Sequence, residues 1–398
     1  MTQSTRPPKV LHLHSTFAAG GKELRAVSLM NAFGDALHHT VVSGMPQQMA
    51  ARGAIDPSLK VDFPVDFPSL TGRLAPGRLA ALAKAMKPFD LVLTYNWGAM
   101  DGVLAHRIFA KAMGLPPLIH HEDGFNEDEA HGLKSSRNWM RRIALRTARS
   151  LVVPSSVLEQ IALRVWKQPA AKVHRIANGI DTQAFANAPD PSSLPSSLPS
   201  SLPSSLPSSL PSSLPLQKRE GERWVGTLAG LRAVKGLPML VEAFAGLPEN
   251  WHLVILGEGP ERGAIEAAAQ RFSISTRVHL PGAHPNPAQV IGLFDVFALS
   301  SKSEQFPLSV VEAMAAGLPV AAPDVGDVKA MVSDANRPFI VPAGGAEPLG
   351  QILSDFASDD GLRRELGKQN RDKARTHFDA QTMTQAYRAL YWGAMEGK

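Results

Sequence analysis

The stretch Ser303-Glu304-Gln305-Phe306-Pro307-Leu308-Ser309-Val310-Val311-Glu312-Ala313-Met314-Ala315-Ala316-Gly317-Leu318-Pro319 decides how this chain is read. It follows an apolar run, Val296 to Leu299, that reads as a buried strand, and it holds a helix from Pro307 to Ala316. Pro307 suits the first helical position, where its missing N–H has no intrahelical partner, and Gly317 suits the stop because it takes φ > 0 readily. The unit is therefore strand, loop, helix. Glu304 lies in the loop and Glu312 more than a turn into the helix, so one end of a sheet receives two carboxylates. The N–H groups of Leu308, Ser309 and Val310 point to the same place, and a helix N-terminus favours anions. Carboxylates beside an anion site indicate a ligand with both hydroxyls and phosphates. The plainer reading leaves Glu304 a loop charge and Glu312 a solvated helix residue.

At 398 residues the chain is long enough for two cores, and 44% hydrophobic with 19% charged residues is a globular composition. No apolar run approaches the ~20 residues that span a bilayer. Val10 to Leu13 is too short for a secretory core, so no cleaved signal is expected. The absence of cysteine excludes disulfides, thiolate metal sites and cysteine nucleophiles, and it is compatible with a cytoplasmic location. Residues 1–190 carry 22 Lys/Arg and 15 Asp/Glu, net +7, which leaves 19 and 21, net −2, for the rest. The first half is the one that should meet an anionic partner.

Lys9 to Ser15 reads as a first strand, followed by the turn Gly20-Gly21-Lys22-Glu23 and a helix carrying Leu24, Val27, Leu29 and Phe33. Strand, glycine turn and helix is the phosphate- or sugar-approach geometry of doubly wound folds, although an ordinary tight turn has the same residues. Further strands are expected at His39–Ser43, Phe89–Thr94, Pro117–His121 and Leu151–Pro154, with helices at Pro76–Lys87 and Met100–Met113 between them. Such alternation predicts a parallel sheet with helices on both faces. One strand ends in His120-His121-Glu122-Asp123-Gly124; its adjacent histidines point to opposite faces and cannot easily share an ion, so no metal is expected. Glu127, Asp128 and Glu129 extend this into an acidic loop. Lys134 to Arg149 then reads as a helix with Arg137, Arg141, Arg142, Arg146 and Arg149 and an apolar stripe of Trp139, Met140, Ile143 and Thr147. It either lies on an anionic membrane surface or packs its stripe on the sheet and leaves its arginines in water. No base-reading motif accompanies the charge, so nucleic acid is not an expected partner.

From Ser192 to Pro215 the tetrapeptide Ser-Ser-Leu-Pro occurs six times. A proline every fourth residue forbids helix and central strand, which predicts a disordered or polyproline-like linker. It would reach ~75 Å at ~3.1 Å per residue if extended and average ~27 Å as a flexible chain. Beyond it come a strand at Trp224–Ala229, the basic turn Arg232-Ala233-Val234-Lys235-Gly236, a helix at Leu237–Ala245, a strand at Trp251–Leu256 and the turn Gly257-Glu258-Gly259-Pro260. A lysine and an arginine at a sheet edge are suited to neutralise a diphosphate. The last helix is expected from Asp379 to Met395.

Taken together these strings resemble the retaining family 4 glycosyltransferases of the GT-B fold, whose signature is Glu-x7-Glu, here Glu304 and Glu312. Gly20-Gly21-Lys22-Glu23 resembles the family's Gly-Gly-x-Glu turn, Asn178-Gly179-Ile180-Asp181 with Phe185 the string that ends its first domain, and Gly257-Glu258-Gly259-Pro260 its Gly-Asp-Gly-Pro. The resemblance implies an α/β protein of two Rossmann-like doubly wound domains facing a central cleft, with a C-terminal helix returning to the first. The domains are expected at 1–187 (acceptor), 223–377 (donor) and 378–398 (crossover helix), with 188–222 a linker. It implies transfer of a sugar from a nucleotide-sugar to a glycan or glycolipid acceptor in cell-surface polysaccharide or glycolipid synthesis, without cofactor or metal. Glu304, Lys235, Arg232 and either Asp123 or His121 are the implied catalytic residues. Gly20, Gly21, Gln305, Phe306, Pro307, Leu308, Ser309, Glu312 and Gly257 are the implied donor contacts, with Glu304 on the sugar hydroxyls and Glu312 on the ribose. Three departures stand out: Glu122-Asp123-Gly124 replaces Glu-His-Gly, Arg232 stands two residues from the usual arginine position, where Gly230 lies, and Gln305 replaces a common glycine. A GT-B epimerase or phosphorylase and a non-catalytic nucleotide-sugar-binding scaffold are the alternatives. The location implied is cytoplasmic, extending to peripheral contact with the inner face of the membrane.

Overall fold

The computed structural model describes residues 6–125, 129, 132–194 and 216–397. Glu127 and Asp128 of the acidic loop, and all but the first three residues of the Ser-Ser-Leu-Pro tract, lie outside the described residues. The chain divides into two compact units, 1–178 with 383–398, and 179–382.

The first unit is built from β1 (Lys9–His14), α1 (Gly21–Phe33), β2 (His38–Ser43), β3 (Val61–Asp62), α2 (Pro76–Met86), β4 (Leu91–Tyr95), α3 (Met100–Met113), β5 (Leu118–His121), α4 (Ser135–Ala144), β6 (Ser150–Val153), α5 (Ser156–Arg164) and β7 (Val173–Arg175). The strands form one parallel sheet in the order β3-β2-β1-β4-β5-β6-β7. The order reverses at β1, which is where doubly wound folds place ligands, outside the strand C-termini. Alternate residues feed the two faces: Leu11 and Leu13 pack with α2 and α3, while Val10 packs with α1 and the C-terminal helix.

The second unit contains α6 (Thr182–Ala186), β8 (Arg223–Leu228), α7 (Leu237–Phe244), β9 (Trp251–Leu256), α8 (Arg262–Arg271), β10 (Val278–Gly282), β11 (Val296–Ala298), α9 (Leu308–Ala315), β12 (Val320–Pro323), α10 (Val328–Met331), β13 (Ile340–Val341), α11 (Ala346–Ser358) and α12 (Asp360–His377). Its parallel sheet runs β10-β9-β8-β11-β12-β13. Val225, Leu253, Ile255, Val296 and Ala321 are fully buried under α7, α8 and α11. The last helix, α13 (Ala380–Glu396), belongs to the first unit from Met383 onward, where Met383, Tyr387, Tyr391 and Ala394 form its buried stripe.

The division falls at Asn178, ahead of the expected border at 187. The reason is local. Ile180 donates its N–H to the Phe378 carbonyl (3.0 Å) and accepts from the Ala380 N–H (2.8 Å), and Thr182 Oγ1 donates to Asp379 Oδ2 at 2.7 Å. Gly179 lies so close to this strand that a Cβ there would stand 2.7 Å from the Asp379 carbonyl oxygen. The Asn-Gly-Ile-Asp string is thus itself the joint, and α6 belongs to the second unit.

Candidate active site

In the second unit the two turns named from the sequence lock onto each other. Lys302 N–H donates to the Val234 carbonyl and Ser300 Oγ to the Lys235 carbonyl, both at 2.8 Å. Gly236 turns with φ +61°, and a Cβ there would meet the Ser300 oxygen at 2.4 Å, so this close approach needs glycine. The result brings Lys235 Nζ to 2.5 Å from Glu304 Oε1, with both side chains less than 20% exposed. Ser301 Oγ donates to the same oxygen at 2.7 Å. Among the described residues no donor is placed on Glu304 Oε2. One carboxylate oxygen is therefore held by protein and the other is open to a ligand hydroxyl.

The rest of the loop is braced from below. Gly326, at φ +56°, sits where a Cβ would be 2.5 Å from the Glu304 carbonyl oxygen, and the Asp327 N–H donates to the Gln305 carbonyl at 3.1 Å. Phe306 meets the Phe378 ring edge-on at 5.5 Å. The Gln305 side-chain oxygen is buried and has no hydrogen-bond partner among the described residues. Pro307 is not the first helical residue, as the sequence suggested, but the cap: its ψ of 110° is extended, and α9 begins at Leu308. Its carbonyl accepts the Val310 N–H at 3.1 Å, so the free amides at this helix start narrow to Leu308 and Ser309. Gly317, at φ +81°, follows the helix end as expected. Glu312 is largely desolvated on α9, which pushes its carboxyl up to about 7.

Arg232 is exposed, with its guanidinium lying beside Gly230, and it makes no ion pair among the described residues. Gly257 and Gly259 let the β9 turn reach the β8 turn: a Cβ on Gly257 would stand 1.8 Å from the Ala229 oxygen, and the Glu258 carbonyl accepts the Leu231 N–H at 2.9 Å. Gly257 therefore acts by shaping the loop.

In the first unit Gly20 caps α1, and a Cβ there would collide with Glu23, 2.7 Å away. Glu23 is buried and bonds to Lys22 and to Thr16 Oγ1. Asp123 forms a two-pronged pair with Arg25, whose second N–H···O distance is 2.9 Å; Arg25 also donates to Asn178 Oδ1 at 3.0 Å. Burial works against the Arg25 charge, and Asp123 outweighs it, so the guanidinium is held ionised. His121 is buried. Its Nδ1 faces the Thr94 carbonyl at 3.3 Å and its Nε2 faces the Tyr391 hydroxyl at 3.0 Å. Burial and then Arg25 depress its pKa well below the usual value, leaving a neutral ring with both nitrogens engaged.

The two readings of the Lys134–Arg149 helix both placed its arginines outward; Arg142, Arg146 and Arg149 are exposed, but Arg141 and, in part, Arg137 are not. Arg141 is fully buried, bonds to Glu122 Oε2 at 2.9 Å, lies 3.5 Å from Glu129 Oε1, and faces Trp97, Phe125 and Trp166 at 5.0–5.3 Å. Arg137 pairs with Glu129 at 2.9 Å. Met140 and Ala144 turn inward, while Trp139 and Ile143 are left 63% and 42% exposed. His120 and His121 face opposite sides, and no group of three or more His, Asp or Glu among the described residues is arranged to hold a metal ion.

Residues 213–373 match the model of glycosyl transferases group 1, and residues 19–184 match that of glycosyltransferase family 4. The chain is thus similar to glycosyltransferase domains along both of these stretches. Among the curated proteins to which this chain is similar, the N-acetyl-alpha-D-glucosaminyl L-malate synthase of Bacillus anthracis is 25% identical over 44% of the chain and 47% of its own length. The lipopolysaccharide core biosynthesis glycosyltransferase LpsE of Rhizobium meliloti is 28% identical over 39% and 46%. The chain thus spans about half the length of the curated relatives it matches. Anabaena HepE in complex with UDP superposes with a TM-score of 0.77 at 20% identity, covering 96% of this chain and 99% of that one, and supports the GT-B fold.

Proposed function

We propose that this glycosyltransferase moves a sugar from a nucleotide-sugar donor to a glycan or glycolipid acceptor with retention at the anomeric carbon, in cell-surface polysaccharide or glycolipid synthesis. The observation that carries the reading is Glu304, fixed at one oxygen by Lys235 and Ser301 and open at the other. A carboxylate oxygen so placed takes a sugar hydroxyl, while Lys235 beside it meets the developing diphosphate charge as a point cation. The amides of Leu308 and Ser309 add donors for the phosphate, and Glu312 takes the ribose hydroxyls. Arg232, exposed and unpaired, swings to the same diphosphate. In this reading the bond from the anomeric carbon to the diphosphate oxygen breaks, and the acceptor oxygen bonds on the same face. The acceptor proton passes to the leaving phosphate oxygen, so no separate nucleophile is required. In the first unit, Asp123 positions Arg25. The acceptor sits at a membrane surface, consistent with the +7 charge of residues 1–190.

A thermal-shift screen of UDP-, GDP- and ADP-sugars tests donor binding, followed by turnover with lipid-linked and soluble glycan acceptors in the presence of EDTA. A shift with one nucleotide family and EDTA-insensitive transfer is expected. Binding without any turnover would instead leave a non-catalytic scaffold.

A further inference from the structure

A parallel sheet with helices on both faces is expected to be apolar on both. One corner of the first unit departs from this. Lys9 pairs with His38, and Thr40 with Asp62, across β1, β2 and β3, so by strand alternation these four polar residues share the face that carries Leu11. Lys9 and His38 are the first residues of their strands, which puts the corner at the end of the sheet opposite to the strand C-termini. A cavity of about 480 Å³ opens there, lined by these four residues together with Phe63, Phe67 and Phe89. The three phenylalanines are only partly buried. Phe67 and Phe89 lean on the core that holds Leu11 and Phe63 on the core that holds Phe17, so the cavity takes its aromatic walls from both.

The polar groups differ in what they still need. His38 Nε2 lies 2.7 Å from Asp62 Oδ2, and Asp62 Oδ1 has no donor among the described residues. The Lys9 N–H donates to Asp90 at 2.9 Å, but its ammonium forms no ion pair among the described residues. Lys9 and Asp62 stand two strands and two residues apart, which at ~4.8 Å per strand and ~3.3 Å per residue separates their Cα atoms by ~12 Å. One aromatic ring can lie between them. An unpaired cation at one end, an open carboxylate oxygen at the other and three phenylalanine rings alongside complement an aromatic carboxylate that carries a hydroxyl across the ring. A bare phosphate would leave the three rings uncovered, and an uncharged apolar molecule would leave Lys9 unpaired.

We propose that this cavity binds a hydroxylated aromatic carboxylate, with its ring among Phe63, Phe67 and Phe89, its carboxylate on Lys9 and its hydroxyl donating to Asp62. Lys235 and Glu304 belong to the other unit, and the proposal makes no use of the transfer reading. Binding is measured without donor or turnover, so either can fail alone.

The test is isothermal titration calorimetry of the full chain with 4-hydroxybenzoate. Beside it run 4-hydroxybenzyl alcohol, which keeps the ring and lacks the charge, and acetate, which keeps the charge and lacks the ring. Saturation of one site by 4-hydroxybenzoate is expected, with the alcohol weaker by about 10-fold or more for want of the charged hydrogen bond, and no saturable binding of acetate. Lys9→Gln should weaken 4-hydroxybenzoate by a similar factor and leave the affinity for the alcohol unchanged, which also shows that the variant is folded. Asp62→Ala should abolish the preference for 4-hydroxybenzoate over benzoate and covers the case in which Lys9→Gln misfolds. Absence of saturable 4-hydroxybenzoate binding, equal binding of acetate, an unchanged affinity in Lys9→Gln, or a preference kept in Asp62→Ala would overturn the proposal. So would displacement of 4-hydroxybenzoate by UDP, GDP or ADP, since the probe would then occupy the nucleotide site.

Discussion

Replacing Asp123 with alanine asks whether this residue supports the first unit or touches substrate. Arg25 is 6% exposed and its charge is balanced by Asp123 through two hydrogen bonds. Removing one partner of a buried pair costs about 3–5 kcal/mol, because the remaining charge is stranded. Asn178 still accepts one bond at 3.0 Å and the Tyr387 ring lies 5.7 Å from the guanidinium, which places the loss near the lower end, about 3 kcal/mol. For a unit of this size each kcal/mol moves the melting temperature by about 2–4 °C, so the first calorimetric transition should drop by about 6–12 °C. Asp123→Asn, which keeps one acceptor, should lose clearly less. A transition that moves by less than about 2 °C, together with a large loss of transfer, would contradict the structural role and return Asp123 to the substrate.

The first unit should also be acid-sensitive. His12, His14, His39 and His121 are buried with depressed pKa values, His39 at about 4, mainly through desolvation, so below pH 6.5 the unfolded chain takes up more protons and stability falls as pH drops. His39 alone accounts for about 3 kcal/mol between pH 7 and 4, and a first transition equally stable at pH 7 and 5 would refute this. The second unit carries the opposite dependence at Glu312. Its folded pKa of about 7 lies above the unfolded 4.5, so stability is lost as pH rises between them, and Glu312→Gln should flatten that slope in urea titrations. Gly257→Ala should destabilise the second unit by more than about 2 kcal/mol, since the φ of +157° and the Ala229 oxygen both oppose a Cβ; a wild-type melting curve would show that the turn adjusts.

Much of the architecture was legible because parallel strands buried on both faces leave unbroken apolar runs, as at Leu91–Tyr95 and Trp251–Leu256. Lys235 and Glu304 were legible as motif residues, but their direct pairing depends on Gly236 approaching Ser300, a contact between turns far apart in sequence. Arg25 escaped the reading altogether: on α1 it looks like a surface residue, and only Asp123, from the end of β5, makes its burial tolerable. Arg141 misled for the same reason. Helical spacing alone assigned it to solvent, whereas Glu122 and Glu129 and three aromatic rings draw it inside and push Trp139 out. Pro307 was displaced by one position because a proline also serves as an extended cap.

The central claim is that Glu304 holds the transferred sugar while Lys235 stabilises the departing diphosphate. Sugar transfer by Glu304→Ala, measured beside nucleotide binding by thermal shift, tests it most directly. The account predicts a folded protein that still binds the nucleotide and loses transfer by a factor of about 10² or more. Parent-level product yield from that variant would contradict it.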